Sequence, residues 1–546
     1  VNIFRHQWRW RVILVLALTL TACNRVKSGD RREGLVEPLP QDPLVQVYFN
    51  HSPSSQYLEP YRQQTRSGDN LEQQIIETIS QAKSTIDIAV QELRLPNVAQ
   101  AIAKKHQEGV KVRLILENTY SRPWSSFTPQ EISKFNPREK QRYTDFRQFL
   151  DTNQDKQLST AEINQGDALV ILKNVKVSMV DDTEDNSKGS GLMHHKFVVV
   201  DNRFVIVTST NFTFSDAHGD FQNPDSLGNA NNLVTIDSPE VASIFTQEFN
   251  IMWGDGSGGE KNSQFGTRKP ARKPQTIKVG DSKITVAFSP HSPQQIWTET
   301  SNGLIGQQLD HASKSVDMAL FVFSEQRLGN ILENRHQQGV QVRALIDPGF
   351  AYRPYSEAMD MMGVSLSSKC KNEVDNRPWK NPITTVGTPL LRKGDLLHHK
   401  FAIIDRKTVI TGSHNWSTIA NHNNDETLLV IENPVIAAHY QREWERLYTD
   451  AQLGVPPKVQ QKMTLQTKQC PQILSPSTLI QSEIKKVNIN TAKLEELDTL
   501  PGVGKKMAQR MIQARQQKPF TSLEDLERVP GVGAKMRDKL SDRVTW

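Results

Sequence analysis

At 546 residues the chain is too long for a single core, so a one-domain protein is excluded and two or more domains are expected. Lys and Arg number 66 against 60 Asp and Glu, a formal net charge of +6, a mild basic bias that fits an anionic partner without identifying one.

Arg5, His6, Arg9 and Arg11 form a positive start, and Val12 to Leu20 is an apolar run too short to span a bilayer. It ends in Leu20-Thr21-Ala22-Cys23, which resembles the lipobox of bacterial lipoproteins. The resemblance implies a signal peptide over 1–23, lipidation of Cys23, export, and anchoring to a membrane at the periplasmic face or the cell surface. An ordinary secretory signal with an incidental cysteine is the alternative. Residues 24–44, charged and Pro-bearing, read as a tether rather than a fold.

Residues 45–255 read as a first half. Ile86 to Val90 alternates like a strand, Asn97 to Gly109 has the pattern of a helix stopped by glycine, and Val110 to Leu116 is a further strand. The same order returns in a second half, 283–450: Ser315 to Leu320, a helix ending at Gly339, then Val340 to Ile346. KKHQEGVKVRLILE (Lys104 to Glu117) repeats as NRHQQGVQVRALID (Asn334 to Asp347), and Arg122-Pro123 matches Arg353-Pro354. A repeat of domain length, alternating strand and helix, predicts two α/β halves facing across a pseudo-twofold axis.

Each half carries one dense motif. GLMHHKFVVVDNRFVIVTSTN (Gly191 to Asn211) returns as LHHKFAIIDRKTVITGSHN (Leu397 to Asn415). His194, Lys196, Asp201, Ser209 and Asn211 are thereby matched by His398, Lys400, Asp405, Ser413 and Asn415. The apolar, β-branched runs after each His predict buried strands, on which i and i+2 share a face. An imidazole beside an ammonium suits a phosphoryl group: Lys donates to phosphate oxygens, and His attacks phosphorus or protonates a leaving oxygen near neutral pH.

The doubled pattern resembles the phospholipase D superfamily, whose signature is HxKxxxxD followed by GSxN; Thr208 stands where that family usually has Gly. The resemblance implies two pseudo-symmetric α/β sandwich halves sharing one active site and needing no catalytic cofactor. By the family's commoner assignment His194 attacks phosphorus to form a phosphohistidine, and His398 protonates the leaving oxygen and then activates water. Lys196, Lys400, Asn211 and Asn415 would hold the non-bridging oxygens, with Ser209 and Ser413 as supporting donors. Asp201 and Asp405 would brace the motif. A carboxylate after GSxN orients the opposite half's His in this family; Glu426 occupies that position for His194. The first half has Asn231 there instead, with Asp220 or Asp225 as possible substitutes.

The first half is the longer of the two, by an insert at about 140–165. It contains DTNQDKQLSTAE (Asp151 to Glu162), close to the EF-hand loop: Asp151, Asn153, Asp155, Gln157, Ser159 and Glu162 fall on its ligand positions. Lys156 departs from the glycine usual at position six. Structural Ca²⁺ binding is the expectation, a polar surface loop the alternative.

Residues 256–282 and 451–486 read as flexible linkers. Residues 487–546 form a separate small all-α module. LPGVGKKMAQRMI (from Leu500) and VPGVGAKMRDKL (from Val529) are glycine turns opening helices, so the first N–H groups suit a phosphate. The module resembles a tandem helix-hairpin-helix domain, which implies backbone contacts to duplex nucleic acid from Gly502, Gly504, Lys505, Lys506, Gly531, Gly533, Lys535 and Arg537. A protein-interaction role is the alternative. With Cys23 lipidated, Cys370 and Cys470 remain, either paired in an oxidising compartment or as two thiols.

Three functions follow from these resemblances: an exported nuclease or DNA-processing phosphodiesterase, a phospholipase D acting on phosphatidylcholine-type lipids, and a non-catalytic surface DNA receptor. A monomer is expected.

Overall fold

The computed structural model describes residues 35–187, 191–221, 223–373, 375–470, 486–500, 502–533, 536–537, 540 and 543–546. Cys23 and the rest of the signal-like segment, and Lys535, lie outside the described residues. The chain divides into units 1–37 and 38–546, and every element described below belongs to the second.

Two sheets form the body. The first has seven strands in the order Val45–Phe49, Asn232–Asp237, Phe204–Thr208, Lys196–Val200, Thr85–Val90, Lys111–Leu116, Ser178–Asp181. The second has nine, and its central run repeats that order: Ser282–Ser289, Glu426–Glu432, Thr408–Gly412, Lys400–Ile404, Ser315–Leu320, Gln341–Ile346, Val386–Thr388. In both, the motif strand is central and antiparallel to its neighbours, and all five of its residues are buried. Such strands read as continuous apolar runs because both faces are covered.

Two helices cover the faces that meet. Pro239–Trp253 is capped by Ser238 and Pro434–Thr449 by Asn433, each with proline in its first turn. Their apolar stripes join strands of both sheets in one core containing Phe197, Phe245, Phe249, Phe401, Tyr440 and Trp444. Each half also has its own outer core. The repeated arginine of the two aligned segments has a structural cause. Arg113 forks onto Asp87 with both bonds at 2.7 Å, and Arg343 onto Asp317 at 2.7 and 2.8 Å, while their guanidinium planes cover Phe249 and Trp444.

Both expected linkers are in fact folded over most of their described length. Within 256–282, Gln275–Val279 is the edge strand of the second sheet, Phe265 is buried, and Lys269 is buried between Glu248 and Asp425 at 2.5 Å from each. Burying an ammonium needs such pairing, and the two carboxylates come from remote parts of the chain, which local composition does not reveal. Within 451–486, Pro457–Gln469 is a helix fixed by a Cys370–Cys470 disulfide with a Cα separation of 5.6 Å. Gln466 adds a double clamp on the backbone of Ser367.

The C-terminal module has its own core of Ile489, Leu497, Met511, Phe520, Leu526, Val529 and Leu540. It is not purely helical: Val487–Asn488 and Val544–Thr545 pair in parallel and tie its ends together. Among the described residues no helix is long and apolar enough to cross a membrane.

Candidate active site

The strand ends that carry the two motif histidines lock into each other's halves. His194 N donates to Asp425 O at 2.9 Å, and His398 N donates to Ala230 O at 3.1 Å. These crossed bonds, with the bridges Met193–Asp425 and Ala230–Leu397, bring both imidazoles to the seam between the halves.

Each imidazole is oriented from the opposite half. Glu426 Oε2 lies 2.7 Å from His194 Nδ1, accepts from Ser413 Oγ at 2.7 Å, and is fully buried. Asn231 Oδ1 lies 3.0 Å from His398 Nδ1 and accepts from Ser209 Oγ at 2.7 Å. A bond at Nδ1 leaves Nε2 as the reactive nitrogen. Ser209 and Ser413 therefore serve the residues that orient the imidazoles, rather than adding donors to the anion.

The carboxylate nearest His398 is Asp216, with Oδ1 at 3.8 Å from Nδ1, in place of Asp220 or Asp225. Asp216 also accepts from Asn211 N at 3.0 Å and from Asn229 Nδ2 at 2.5 Å. A short helix, Phe214–Ala217, holds it there, capped by Thr213.

Both lysines are buried. Lys196 Nζ donates to His194 O at 3.0 Å and to Gln91 Oε1 at 3.2 Å; Lys400 Nζ donates to His398 O at 2.6 Å and lies 4.9 Å from the ring centre of Phe321. Gln91 and Phe321 occupy equivalent places, just past the strands Thr85–Val90 and Ser315–Leu320, so the two sides of the site differ chemically.

Burial lowers Lys196 to about 8, and burial together with the Lys196 charge holds Lys400 well below its ordinary value. Burial lowers His194 to about 4 against the opposing pull of Glu426. His398 is held well below its usual range by burial, then by the charges of Lys400, Lys196 and His194. Burial is the largest cause in all four groups, and the lysine charges add to its effect on the imidazoles against the pull of Glu426 on His194. An anion placed among them would favour the protonated forms and raise the pKa of both imidazoles. Asn211 and Asn415 stand at matching places beyond the strand ends, and the side-chain oxygen of each is buried without a partner among the described residues.

Asp201 and Asp405 are not at this site. They lie at the far ends of the motif strands, in left-handed turns with φ of 52°. Asp201 accepts from Lys83 N, Ser84 N, Ser84 Oγ and Thr85 N at 2.7–2.9 Å; Asp405 repeats this with Ser313, Lys314 and Ser315. Their work is to brace the fold.

The residues Gln91, Asp216 and Phe321 escape a reading by motif. So do the second histidines: His195 lies 3.6 Å from Glu248 and His399 3.0 Å from Glu443, in matching places behind the site. The doubled His-His in both copies was their signal.

The calcium-loop residues sit where the sequence places them, between helices Pro137–Leu150 and Thr160–Gly166. Lys156 takes the positive φ, 67°, that glycine would relieve. The carboxylates are used internally: Asp151 accepts from Asp155 N and Lys156 N, and Glu162 from Thr152 and Ser159. Among the described residues no group of three or more His, Cys, Asp or Glu is gathered to hold a metal ion.

In the C-terminal module Gly502 and Gly531 hold φ of 82° and 99°, and Gly504 caps helix Lys505–Gln517 without a side chain, leaving its first N–H groups open. Lys505, Lys506 and Gly533 are exposed, whereas Arg537 is paired with Glu527 at 2.8 Å.

Comparison with known proteins agrees with this architecture. A helix-hairpin-helix motif model matches residues 482–545. The mitochondrial cardiolipin hydrolase of Mus musculus is 31% identical over 163 residues, 30% of this chain and 61% of that protein. The phospholipase D of Rickettsia conorii is 26% identical over 167 residues, 31% of this chain and 70% of that protein. The chain spans 46–61% of the length of the mammalian cardiolipin hydrolases that it matches. Among solved structures, the phosphatidylserine synthase of Haemophilus influenzae aligns with 79% of this chain and 94% of its own at a TM-score of 0.47 and 12% identity. The family model described as cardiolipin synthase, PLD-like domain, matches residues 75–253 and 305–448, more than half of the protein, and the chain belongs to that PLD-like family.

Proposed function

We propose that this protein is an exported, lipid-anchored phosphodiesterase that cuts nucleic acid through a phosphohistidine intermediate. The observation that carries the nucleic-acid reading is the helix-hairpin-helix module on the same chain as a complete two-histidine site. A module that holds duplex backbone raises the local concentration of a DNA substrate at the active site. Export and anchoring rest on the sequence from Arg5 to Cys23.

In this mechanism Nε2 of His194 attacks phosphorus and His398 gives its proton to the leaving oxygen. His398 then takes a proton from water, whose oxygen displaces His194 and releases the phosphomonoester. Lys196, Lys400, Asn211 and Asn415 hold the non-bridging oxygens, where charge grows in the transition state. No step runs through a metal. A Ca²⁺ held by Asp151, Asp155 and Glu162 would be structural, and it would require Glu162 to leave Thr152 and Ser159.

A second reading, hydrolysis of a phospholipid, is favoured by the relatives named as cardiolipin hydrolase and phospholipase D. One assay separates the two. The mature protein is offered plasmid DNA and phosphatidylcholine or cardiolipin vesicles with EDTA present, beside His194→Ala and His398→Ala. Cutting of DNA alone supports the nuclease, headgroup release alone the lipase, and neither a binding protein that kept the fold.

A further inference from the structure

We propose that Lys269, on the segment that joins the two halves, is a positioning residue for the nucleophile: its paired contacts to Glu248 and Asp425 fix Glu426 against His194. This rests on the two-histidine phosphodiesterase reading above and adds to it a requirement that lies outside both repeated motifs.

Glu426 sits between two gripped neighbours. Asp425 and Thr427 are two apart, so on extended backbone their side chains share the face opposite that of Glu426. On one flank the Asp425 carboxylate accepts from Gly266 N at 3.0 and 3.2 Å and pairs with Lys269 Nζ at 2.5 Å. On the other, Thr427 Oγ1 lies 2.8 Å from His195 Nδ1. Both grips return to Glu248, on helix Pro239–Trp253 of the first half. Lys269 Nζ is 2.5 Å from its Oε1, and His195 Nε2 is 3.6 Å from the same oxygen. Arg272 closes the assembly on Oε2 at 2.7 Å. The backbone of Asp425 is engaged as well: its N–H donates to Leu192 O at 2.8 Å, and its carbonyl accepts from His194 N at 2.9 Å. The residue before Glu426 is thus tied to the strand end of the nucleophile, and Lys269 and Gly266 hold its side chain.

The side chains of Lys269 and Glu248 are fully buried, and that of Asp425 nearly so. Buried charges need partners, and here two cations meet two carboxylates. Burial opposes the charge on Glu248, yet Lys269 and then Arg272 hold its carboxyl below the usual range. Without Lys269 the two carboxylates would share Arg272 alone. Asp425 would then turn toward water and draw Glu426 from its 2.7 Å contact with His194 Nδ1.

The clamp belongs to one side of the seam. In the first half the residue matching Asp425 is Ala230, and the residue matching Glu426 is the neutral Asn231. There Glu443 meets His399 at 3.0 Å and is paired with Arg446 of its own helix. Lys269 therefore serves the side on which a carboxylate, rather than an amide, is held against an imidazole.

The test follows hydrolysis of bis(p-nitrophenyl) phosphate, a small diester that is neither nucleic acid nor lipid, by the full chain as a function of pH. In Lys269→Met, kcat should fall at least about 10-fold, but no further than in Glu426→Gln, with KM little changed. The acid limb of kcat/KM should move to lower pH. The sign of that shift discriminates. The charged and titratable groups that face His194 include Glu426, Lys196, Lys400, His398 and His414. Loosening Glu426 lowers the pKa of His194, whereas loss of a positive charge by itself raises it. Two double variants complete the test. In Lys269→Met with Glu426→Gln, the limb should coincide with that of Glu426→Gln alone. In Lys269→Met with Asp425→Asn, the buried charges balance again, so Tm should recover toward wild type while kcat and the limb stay displaced. This second variant carries the test if Lys269→Met does not fold. The proposal is overturned if the limb of Lys269→Met stays in place or moves to higher pH, or if Lys269→Met shifts the limb further in the Gln background. Recovery of kcat and the limb together with Tm also overturns it, by reducing Lys269 to a structural role. Absence of any turnover by wild type sinks the two-histidine mechanism itself, a distinct result that removes this proposal with it.

Discussion

Glu426 of the second half holds Nδ1 of His194 in the first, at 2.7 Å. The reciprocal contact, Asn231 to His398 at 3.0 Å, runs the other way across the same seam. Each half therefore completes the histidine of its partner, so neither half holds a finished site by itself. The two contacts differ in charge. A carboxylate stabilises an imidazolium, whereas an amide mainly fixes the tautomer. That asymmetry supports His194, the histidine with the carboxylate, as the nucleophile whose phosphorylated ring needs a counter-charge.

Replacing Glu426 with Gln should lower kcat by about 10²-fold or more, because the wrong tautomer becomes available. The pH profile separates this from a packing defect. His194 is held at about 4 by burial, with Glu426 pulling upward, so removing the carboxylate lowers its pKa further. The acid limb of kcat/KM, where His194 loses its proton to become a nucleophile, should move to lower pH in E426Q. A limb that stays in place would show that Glu426 does not act on His194.

Asp216 should act on the other limb. As the general acid, His398 must carry a proton, and the Asp216 carboxylate at 3.8 Å favours that form. In Asp216→Asn the pKa of His398 in the substrate complex falls, and the basic limb of kcat should move to lower pH. Asn keeps one acceptor oxygen, so only one of the bonds from Asn211 N and Asn229 Nδ2 survives and Tm should fall as well. The shift of the limb in the folded fraction is the result that tests the role of Asp216, and a limb that stays in place would refute it.

Much of this site was legible because its chemistry is written in repeated spacing. The two His-Lys pairs fall on buried strands, where alternation fixes their direction, and Glu426 falls at a set distance after Asn415. Asp216 was not legible: it lies on a one-turn helix of the first half, and its counterpart in the second is Ala420, so the repeat gives no sign of it. Lys269 shows the same limit in the fold. A Gly- and Lys-rich stretch reads as solvated linker, yet Glu248 and Asp425 draw that lysine into the interior, and only tertiary structure brings those carboxylates together.

Asp201 gives a contrasting prediction. Its carboxylate caps three backbone amides and a hydroxyl at the start of strand Thr85–Val90. Asp201→Ala should cost about 2 kcal/mol of stability, seen as a lower urea midpoint, through loss of charge-assisted bonds. The kcat of the folded fraction should stay within a few-fold of wild type. A selective collapse of kcat with unchanged stability would place Asp201 in the chemistry after all.

The Cys370–Cys470 bridge closes a loop with a sequence separation of 100 and pins helix Pro457–Gln469 to the second half. Cross-linking residues this far apart stabilises by roughly 2–5 kcal/mol, chiefly by constraining the unfolded chain. The variant carrying Cys370→Ser and Cys470→Ser should therefore melt at lower temperature. Limited proteolysis should also cut it sooner within Pro457–Gln469, because that helix is then held only by the Gln466 clamp on Ser367 and by Val459 and Met463 packing on the core of the second half. Equal melting and equal cleavage would mean that the bridge is idle in the folded protein.

Removal of residues 487–546 separates binding from chemistry. Lys505, Lys506 and the open N–H groups of helix Lys505–Gln517 offer contacts to phosphate that carry no sequence information. Each phosphate neutralised releases counterions, so the logarithm of affinity falls with the logarithm of salt with a slope near 0.9 per contact on duplex DNA. The truncated protein should bind duplex DNA more weakly at every salt concentration, and its log–log slope should be shallower by about two or more, one per lost contact. Its kcat on a short single-stranded substrate should be unchanged, since Ile489, Leu526 and their neighbours form a core separate from those of the two halves. An unaltered slope would assign the module to a protein partner instead, and the DNA reading would lose the observation that carries it.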